Sequence, residues 1–257
     1  MSRINVIWLV VFVFGIMSCK DQGDSPSGKI DNQAHDIVSK AIEAMGGHQL
    51  DHAKVTFDFR DQSLSYYNKN GQFRYTRTFP DTAGHIIKDT LTNDDFVRYK
   101  DGQKLDLTSE EKEALKGGVN SIIYFAFLPY RLQDAAVIKE YIDQVNIKGK
   151  PYEKIKVSFE QEGGGTDHED VYYYYFDPED YSLDYLAYDF HVNDGGIRFR
   201  SSYNERTVDG LTVRDYINYM ANPDSVDYSR IEQYYDDDEL KELSRVELKN
   251  VKVEPLK

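Results

Sequence analysis

The side chains best suited to chemistry in this 257-residue chain gather at Asp167-His168-Glu169-Asp170, directly after Gly163-Gly164-Gly165. Carboxylates and an imidazole are ligand types for a divalent cation, and a glycine hinge would let them converge. Their spacing matches no known metal loop, and three glycines supply mobility where a coordination shell needs rigidity. The run therefore reads as a solvated hairpin loop, and no metal site is assigned. His48, His52 and His85 are scattered, while His191 is expected beside Arg198 on a strand surface. The sequence holds no G-x-S-x-G, no H-E-x-x-H and no phosphate-cradling glycine motif, so no catalytic residue and no cofactor are assigned. Asp236-Asp237-Asp238-Glu239 could attract calcium, but negative charge at a helix start explains the run without a ligand. Tyr172-Tyr173-Tyr174-Tyr175 and Tyr234-Tyr235 could stack flat ligands, although the β-propensity of tyrosine accounts for them equally.

Cys19 is the one cysteine. It follows Arg3 and an uncharged apolar run over residues 4–17, shorter than the roughly 20 residues that span a bilayer as a helix. Residues 1–18 read as a signal peptide. The end of that run, Ile16-Met17-Ser18-Cys19, resembles a bacterial lipobox, which implies cleavage before Cys19 and acylation of its sulfur and new amino terminus. Acyl chains contribute about 0.8 kcal/mol per buried CH₂, so two or three of them give lasting membrane attachment. Residues 19–31, polar and rich in Ser, Gly and Asp, then form a flexible tether to a single folded domain over residues 32–257.

Bulk composition narrows the partners. Acidic side chains number 45 against 31 basic ones, and the formal charge of −14 repels nucleic acid and anionic headgroups. With 21 Tyr and 13 Phe the chain has the apolar content to fold.

The elements that must position any site follow from periodicity. A helix over residues 32–45 places Ala34, Ile37, Val38, Ala41, Ile42 and Met45 on one face and stops at Gly46-Gly47. Alternating strands follow, punctuated by Asn70-Gly71, Asn93-Asp94 and Asp101-Gly102, with a short strand expected at 105–107. Thr108-Ser109-Glu110-Glu111 has capping-box spacing for a helix through about Leu115. After Gly117-Gly118 comes the most apolar stretch beyond the signal peptide, residues 119–128, readable as a core helix or as a movable plug over an apolar cavity. Asp236 to Glu239 is expected to start a short helix, and 246–253 to form one final strand.

Four antiparallel strands over residues 171–220 organise the sheet. A turn at Asn193-Asp194-Gly195-Gly196 pairs Val192 with Ile197, Phe190 with Phe199 and Tyr188 with Ser201. A turn at Asp209-Gly210 pairs Tyr203 with Tyr216 and Phe199 with Met220. Both turns put Leu186, Tyr188, Phe190, Val192, Ile197, Phe199, Tyr203, Tyr216 and Met220 on one apolar face. The other face is expected to be polar, with Asp189 across from Arg200, His191 across from Arg198 and Tyr185 across from Asn204.

The lipobox, the helix ending in Gly46-Gly47, the long meander and the apolar helix together resemble the bacterial lipoprotein-carrier superfamily. Gly149-Lys150-Pro151-Tyr152, Gly163-Gly164-Gly165, residues 184–188 and Asp215-Tyr216 also resemble an uncharacterised Bacteroidetes-type lipoprotein family. The carrier resemblance implies an α+β fold: a strongly curved antiparallel half-barrel with helices over its concave apolar face. It further implies an outer-membrane lipoprotein of a Gram-negative envelope, periplasmic or surface-exposed, holding an acyl chain or a lipoprotein's lipid. The ligand would contact Val119, Ile122, Ile123, Phe125, Phe127, Leu186, Tyr188, Phe190, Phe199, Tyr203 and Tyr216. Two other readings stay open: a protein-interaction module with a filled core, and a hydrolase or metal-dependent enzyme centred on His168.

Overall fold

The structure, a computed structural model, describes residues 31–160, 170–190 and 195–257. Among them, fourteen strands form two seven-stranded antiparallel sheets that do not close into a barrel. The first sheet is a meander of β1 (His52–Phe59), β2 (Gln62–Lys69), β3 (Gln72–Pro80), β4 (Ile86–Thr92), β5 (Phe96–Lys100) and β6 (Gln103–Lys104). The second runs in order through β7 (Val137–Ile147), β8 (Lys150–Phe159), β9 (Val171–Phe176), β10 (Leu183–Phe190), β11 (Gly196–Val208), β12 (Leu211–Ala221) and β13 (Lys241–Val246). β14 (Lys249–Pro255) returns to pair with β1. The expected final strand over 246–253 is therefore two strands in different sheets, joined by Glu247-Leu248. The expected strand at 105–107 is absent, its place taken by the two residues of β6.

The turns are those the sequence demanded. Asn70-Gly71, Asp101-Gly102 and Asp209-Gly210 all have both residues at positive φ, the twist-matched hairpin geometry.

Helix α1 (Asn32–Ala44) begins at Asp31, whose Oδ1 accepts from the backbone N–H of Gln33 and Ala34 at 3.0 and 3.1 Å. Its Oδ2 accepts from the Tyr141 backbone N–H at 2.8 Å, tying the helix start to β7. Ala34, Ile37, Val38, Ala41, Ile42 and Met45 are all buried. Gly46 ends the helix with φ +72, and a Cβ there would lie 2.1 Å from the Gly210 carbonyl oxygen. That approach lets the Thr212 N–H donate to the Met45 carbonyl at 2.8 Å, docking α1 on the β11–β12 hairpin.

Helix α2 (Ser109–Ala126) opens with the expected capping box at Thr108 and Glu111. It does not stop at Gly117-Gly118, correcting the two-segment expectation. Two interior glycines cost about 1 kcal/mol each relative to alanine. Neither glycine is crowded: a Cβ at Gly118 would meet the end of the Arg77 side chain on β3 at an ordinary 3.4 Å, and one at Gly117 would meet nothing within 4 Å. Helix α3 (Ile231–Asp236) also departs from expectation, because it precedes the acidic run instead of following it. Asp236 to Asp238 thus lie at its C-terminal end, where Lys148 compensates by donating from Nζ to the Asp236 carbonyl and to Asp238 Oδ1, both at 2.8 Å.

Strand register in the second sheet differs most from the sequence reading. Phe199 lies opposite Ala187, not Phe190, and Phe190 lies opposite Gly196. This shift of three residues is odd, so it moves β11 side chains to the other face. Residues 191–194, including His191 and Val192, lie outside the described residues. The Asp209-Gly210 turn sets Val208 opposite Leu211 as expected, but a bulge between Tyr203 and Arg206 then moves the register by one. Tyr216 faces Ser202 and Phe199 faces Tyr219. Ile197 and Phe199 consequently leave the face of Leu186, Tyr188 and Tyr216, and Arg198 and Arg200 join it. The expected polar face does not exist. Both faces of this sheet are apolar, one packed toward α1, α2 and the first sheet, the other beneath α3.

Candidate functional site

Between α2 and the second sheet lies a cavity of about 390 Å³. One wall is the C-terminal half of α2, with Ser121, Ile122, Phe125 and Ala126. The opposite wall comes from β9 to β12, with Tyr172, Tyr188, Phe190 and Tyr216. Phe59 of β1, Val246 and Leu248 close the end where the chain crosses between sheets. Helical spacing explains how α2 can serve both core and cavity. Val119 and Ile123 are one turn apart and fully buried, while Ile122, Phe125 and Ala126 occupy the flank that faces the space. Phe125 spans the gap, its ring 5.4 Å from Tyr188 and 6.4 Å from Tyr172.

The cavity also contains charge. Arg198 and Arg200 alternate along β11, Arg214 follows on β12, and Asp170 lies just before β9. Arg200 stacks over Phe125 at 4.4 Å and over Tyr188 at 5.2 Å, and its Nη2 donates to the Tyr188 hydroxyl at 3.0 Å. Arg198 stacks over Phe190 at 4.9 Å and donates to the Ile197 carbonyl at 3.0 Å. Arg214 pairs with Glu205 at 2.5 Å. The Nε groups of Arg200 and Arg214 are buried without a hydrogen-bond partner. Asp170 is buried and has its own interaction partner. Burial pushes the Tyr216 hydroxyl up to about 12.

Of the residues assigned to ligand contact from sequence, Ile122, Phe125, Tyr188, Phe190 and Tyr216 line the cavity. Val119, Ile123, Phe127 and Leu186 are buried in the surrounding core. Phe199 is a correction. It is 1% exposed on the opposite face, stacked on Tyr235 at 4.6 Å. Tyr203 is a second, since it sits at the bulge and donates its hydroxyl to Glu247 at 3.0 Å. The sequence reading missed Arg198, Arg200 and Arg214 because the slipped register sent the first two to solvent. Arg198 and Arg200, stacked over Phe190 and Tyr188 of β10, would have been found by pairing Arg198 with Tyr188. Asp167, His168 and Glu169 lie outside the described residues, and among those described no three His, Cys, Asp or Glu residues are grouped to hold a metal.

A family model described as a family of unknown function, DUF6503, matches residues 16–248. No curated protein matches the chain in sequence. Among solved structures, the chain is similar to a LolA-superfamily protein from Nitrosomonas europaea, at 10% identity and a TM-score of 0.48, covering 87% of this chain and 93% of that one. It is also similar to a putative outer membrane lipoprotein-sorting protein domain from Vibrio parahaemolyticus, at 7% identity and a TM-score of 0.43, covering 79% and 98%.

Proposed function

The chain belongs to the DUF6503 family, and from that premise we propose a lipid-anchored cell-envelope protein that holds one hydrophobic ligand beneath α2. The ligand class is an acyl chain or the lipid of a lipoprotein. The observation that carries this reading is the cavity of about 390 Å³ walled by Ile122, Phe125, Ala126, Phe59, Val246 and Leu248. A bound chain would take these apolar side chains out of contact with water. The cavity's size falls within the roughly 300–1,000 Å³ of small-molecule sites, which suits a single chain. Each CH₂ moved there from water gains about 0.8 kcal/mol.

An uncharged hydrophobic fluorophore, N-phenyl-1-naphthylamine, tests the reading. Saturable binding at one site is expected, and Ala126→Trp, which fills the cavity, should weaken it by roughly tenfold or more with the fold retained. Absence of saturable binding contradicts the reading. Attachment through Cys19 to the outer membrane of a Gram-negative cell completes the proposal. Cys19→Ala should move the protein from the membrane fraction to the soluble one and abolish incorporation of labelled palmitate.

A further inference from the structure

The charge in the cavity narrows the ligand further. Elsewhere among the described residues, half-buried arginines are matched with carboxylates. Arg77 and Arg98 converge on the fully buried Asp89 at 2.7 and 2.6 Å, and Arg206 pairs with the buried Asp215 at 3.2 Å. Arg198 and Arg200 break this pattern: among the described residues no carboxylate pairs with either. Bringing guanidinium groups out of water without an anion is costly. Aromatic stacking offsets part of that cost, but it occupies the faces of the guanidinium plane. Donors lie along the plane's edge, and the buried Nε of Arg200 and of Arg214 has no acceptor. The lining holds Arg198, Arg200 and Arg214 with one carboxylate, that of Asp170, and Arg214 is matched by Glu205 outside it.

We propose that the cavity selects amphiphiles with an anionic head, whose carboxylate or phosphate oxygens accept from Arg198 and Arg200 while the chain lies along Ile122, Phe125 and Ala126. This inference rests on the reading of the cavity as a ligand site and adds the charge of the ligand's head. Planar guanidinium forks match both carboxylate and phosphate oxygens, so the shared chemistry is an oxyanion on a single chain. The protein's overall charge of −14 opposes nonspecific uptake of anions, so a preference for them must come from local contacts.

Displacement of N-phenyl-1-naphthylamine by a series with one chain length and different heads provides the test: dodecanoate, dodecyl phosphate, dodecan-1-ol and dodecyltrimethylammonium. The two anions should displace the probe at roughly tenfold lower concentration than the alcohol, and the cation should be weakest. Whichever anion is stronger identifies the head as carboxylate or phosphate, and either outcome supports the proposal. In the Arg198→Gln, Arg200→Gln double variant the ratio of anion to alcohol affinity should fall to about one, whatever the change in overall affinity. Equal displacement by anion, alcohol and cation in the unaltered protein overturns the anionic-head proposal, yet leaves the hydrophobic site standing. Failure of the probe itself to bind removes both. The comparison within the unaltered protein keeps the test decisive if the double variant does not fold.

Discussion

The two faces of the second sheet are built from the same residue types and are finished differently. Under α3, Lys154 and Glu232 are 2% and 3% exposed and pair at 2.8 Å. The Tyr175 hydroxyl donates to the same Glu232 oxygen at 2.9 Å, and Lys154 Nζ also donates to the Ser229 carbonyl at 2.6 Å. Tyr185, Phe199 and Tyr235 fill the remaining space, so apolar and charged groups alike have partners within the protein. On the other face Tyr172 and Tyr188 stack at 5.7 Å, but the space above them stays open, and among the described residues no carboxylate pairs with Arg198 or Arg200. One face is complete in itself. The other leaves a cavity of about 390 Å³.

Substitutions on the two faces should therefore separate stability from binding. The largest expected effect is that of Lys154→Met, which leaves Glu232 buried without its cation. Breaking a buried pair in this way costs about 3–5 kcal/mol, measurable by urea unfolding, with N-phenyl-1-naphthylamine affinity of the folded fraction unchanged. A matched pair of truncations sharpens the contrast. Phe199→Ala on the packed face should cost about 3 kcal/mol or more, as large deletions in cores do. Phe125→Ala on the half-buried cavity wall should cost only about 1 kcal/mol yet weaken probe binding severalfold. Equal losses of stability in the two variants would erase the distinction between the faces.

Asp31 belongs to neither face and serves as a control of moderate size. Asp31→Ala removes the α1 cap and should cost about 1 kcal/mol at neutral pH without altering binding. The backbone N–H of Tyr141, then that of Ala34, holds the Asp31 carboxyl below its ordinary value of 3.8. A depressed folded-state pKa means that this stabilisation is fully present above 3.8 and is lost as pH falls through the folded value. The gap between the parent protein and Asp31→Ala in urea melts should thus close on acidification below 3.8. Smallest of all, Lys54→Ala should change stability by about 0–1 kcal/mol, because Lys54 and Glu254 pair at 3.3 Å with both side chains largely exposed.

Much of the fold could be read from local signals. The α1 face followed from residues at helical spacing and the Gly46 stop, and the hairpins from Asn-Gly and Asp-Gly pairs, which favour a turn with both central residues at positive φ. The register of β10 with β11 could not be read in that way. Its connection around 191–195 contains several residues that can turn, and a slip of three leaves an apolar pattern that still looks reasonable. Tyr172-Tyr173-Tyr174-Tyr175 offers no contrast between inside and outside, because both faces of that strand are buried. The bulge after Tyr203 was equally hidden, since it depends on Asn204 adopting φ +51 and not on a glycine. Half of the cavity was legible in the apolar stretch of α2. The arginine wall was not, because one register error exchanged the faces of β11.

The most direct test of a site on the open face is photo-crosslinking with a dodecanoate that carries a diazirine near its chain end, followed by peptide mapping. Saturable labelling of residues 121–126 and of the cavity side of β10 to β12 is the expected result, suppressed by excess dodecanoate. Labelling that fails to saturate, or that maps to Tyr185, Phe199 and Tyr235 beneath α3, would contradict it.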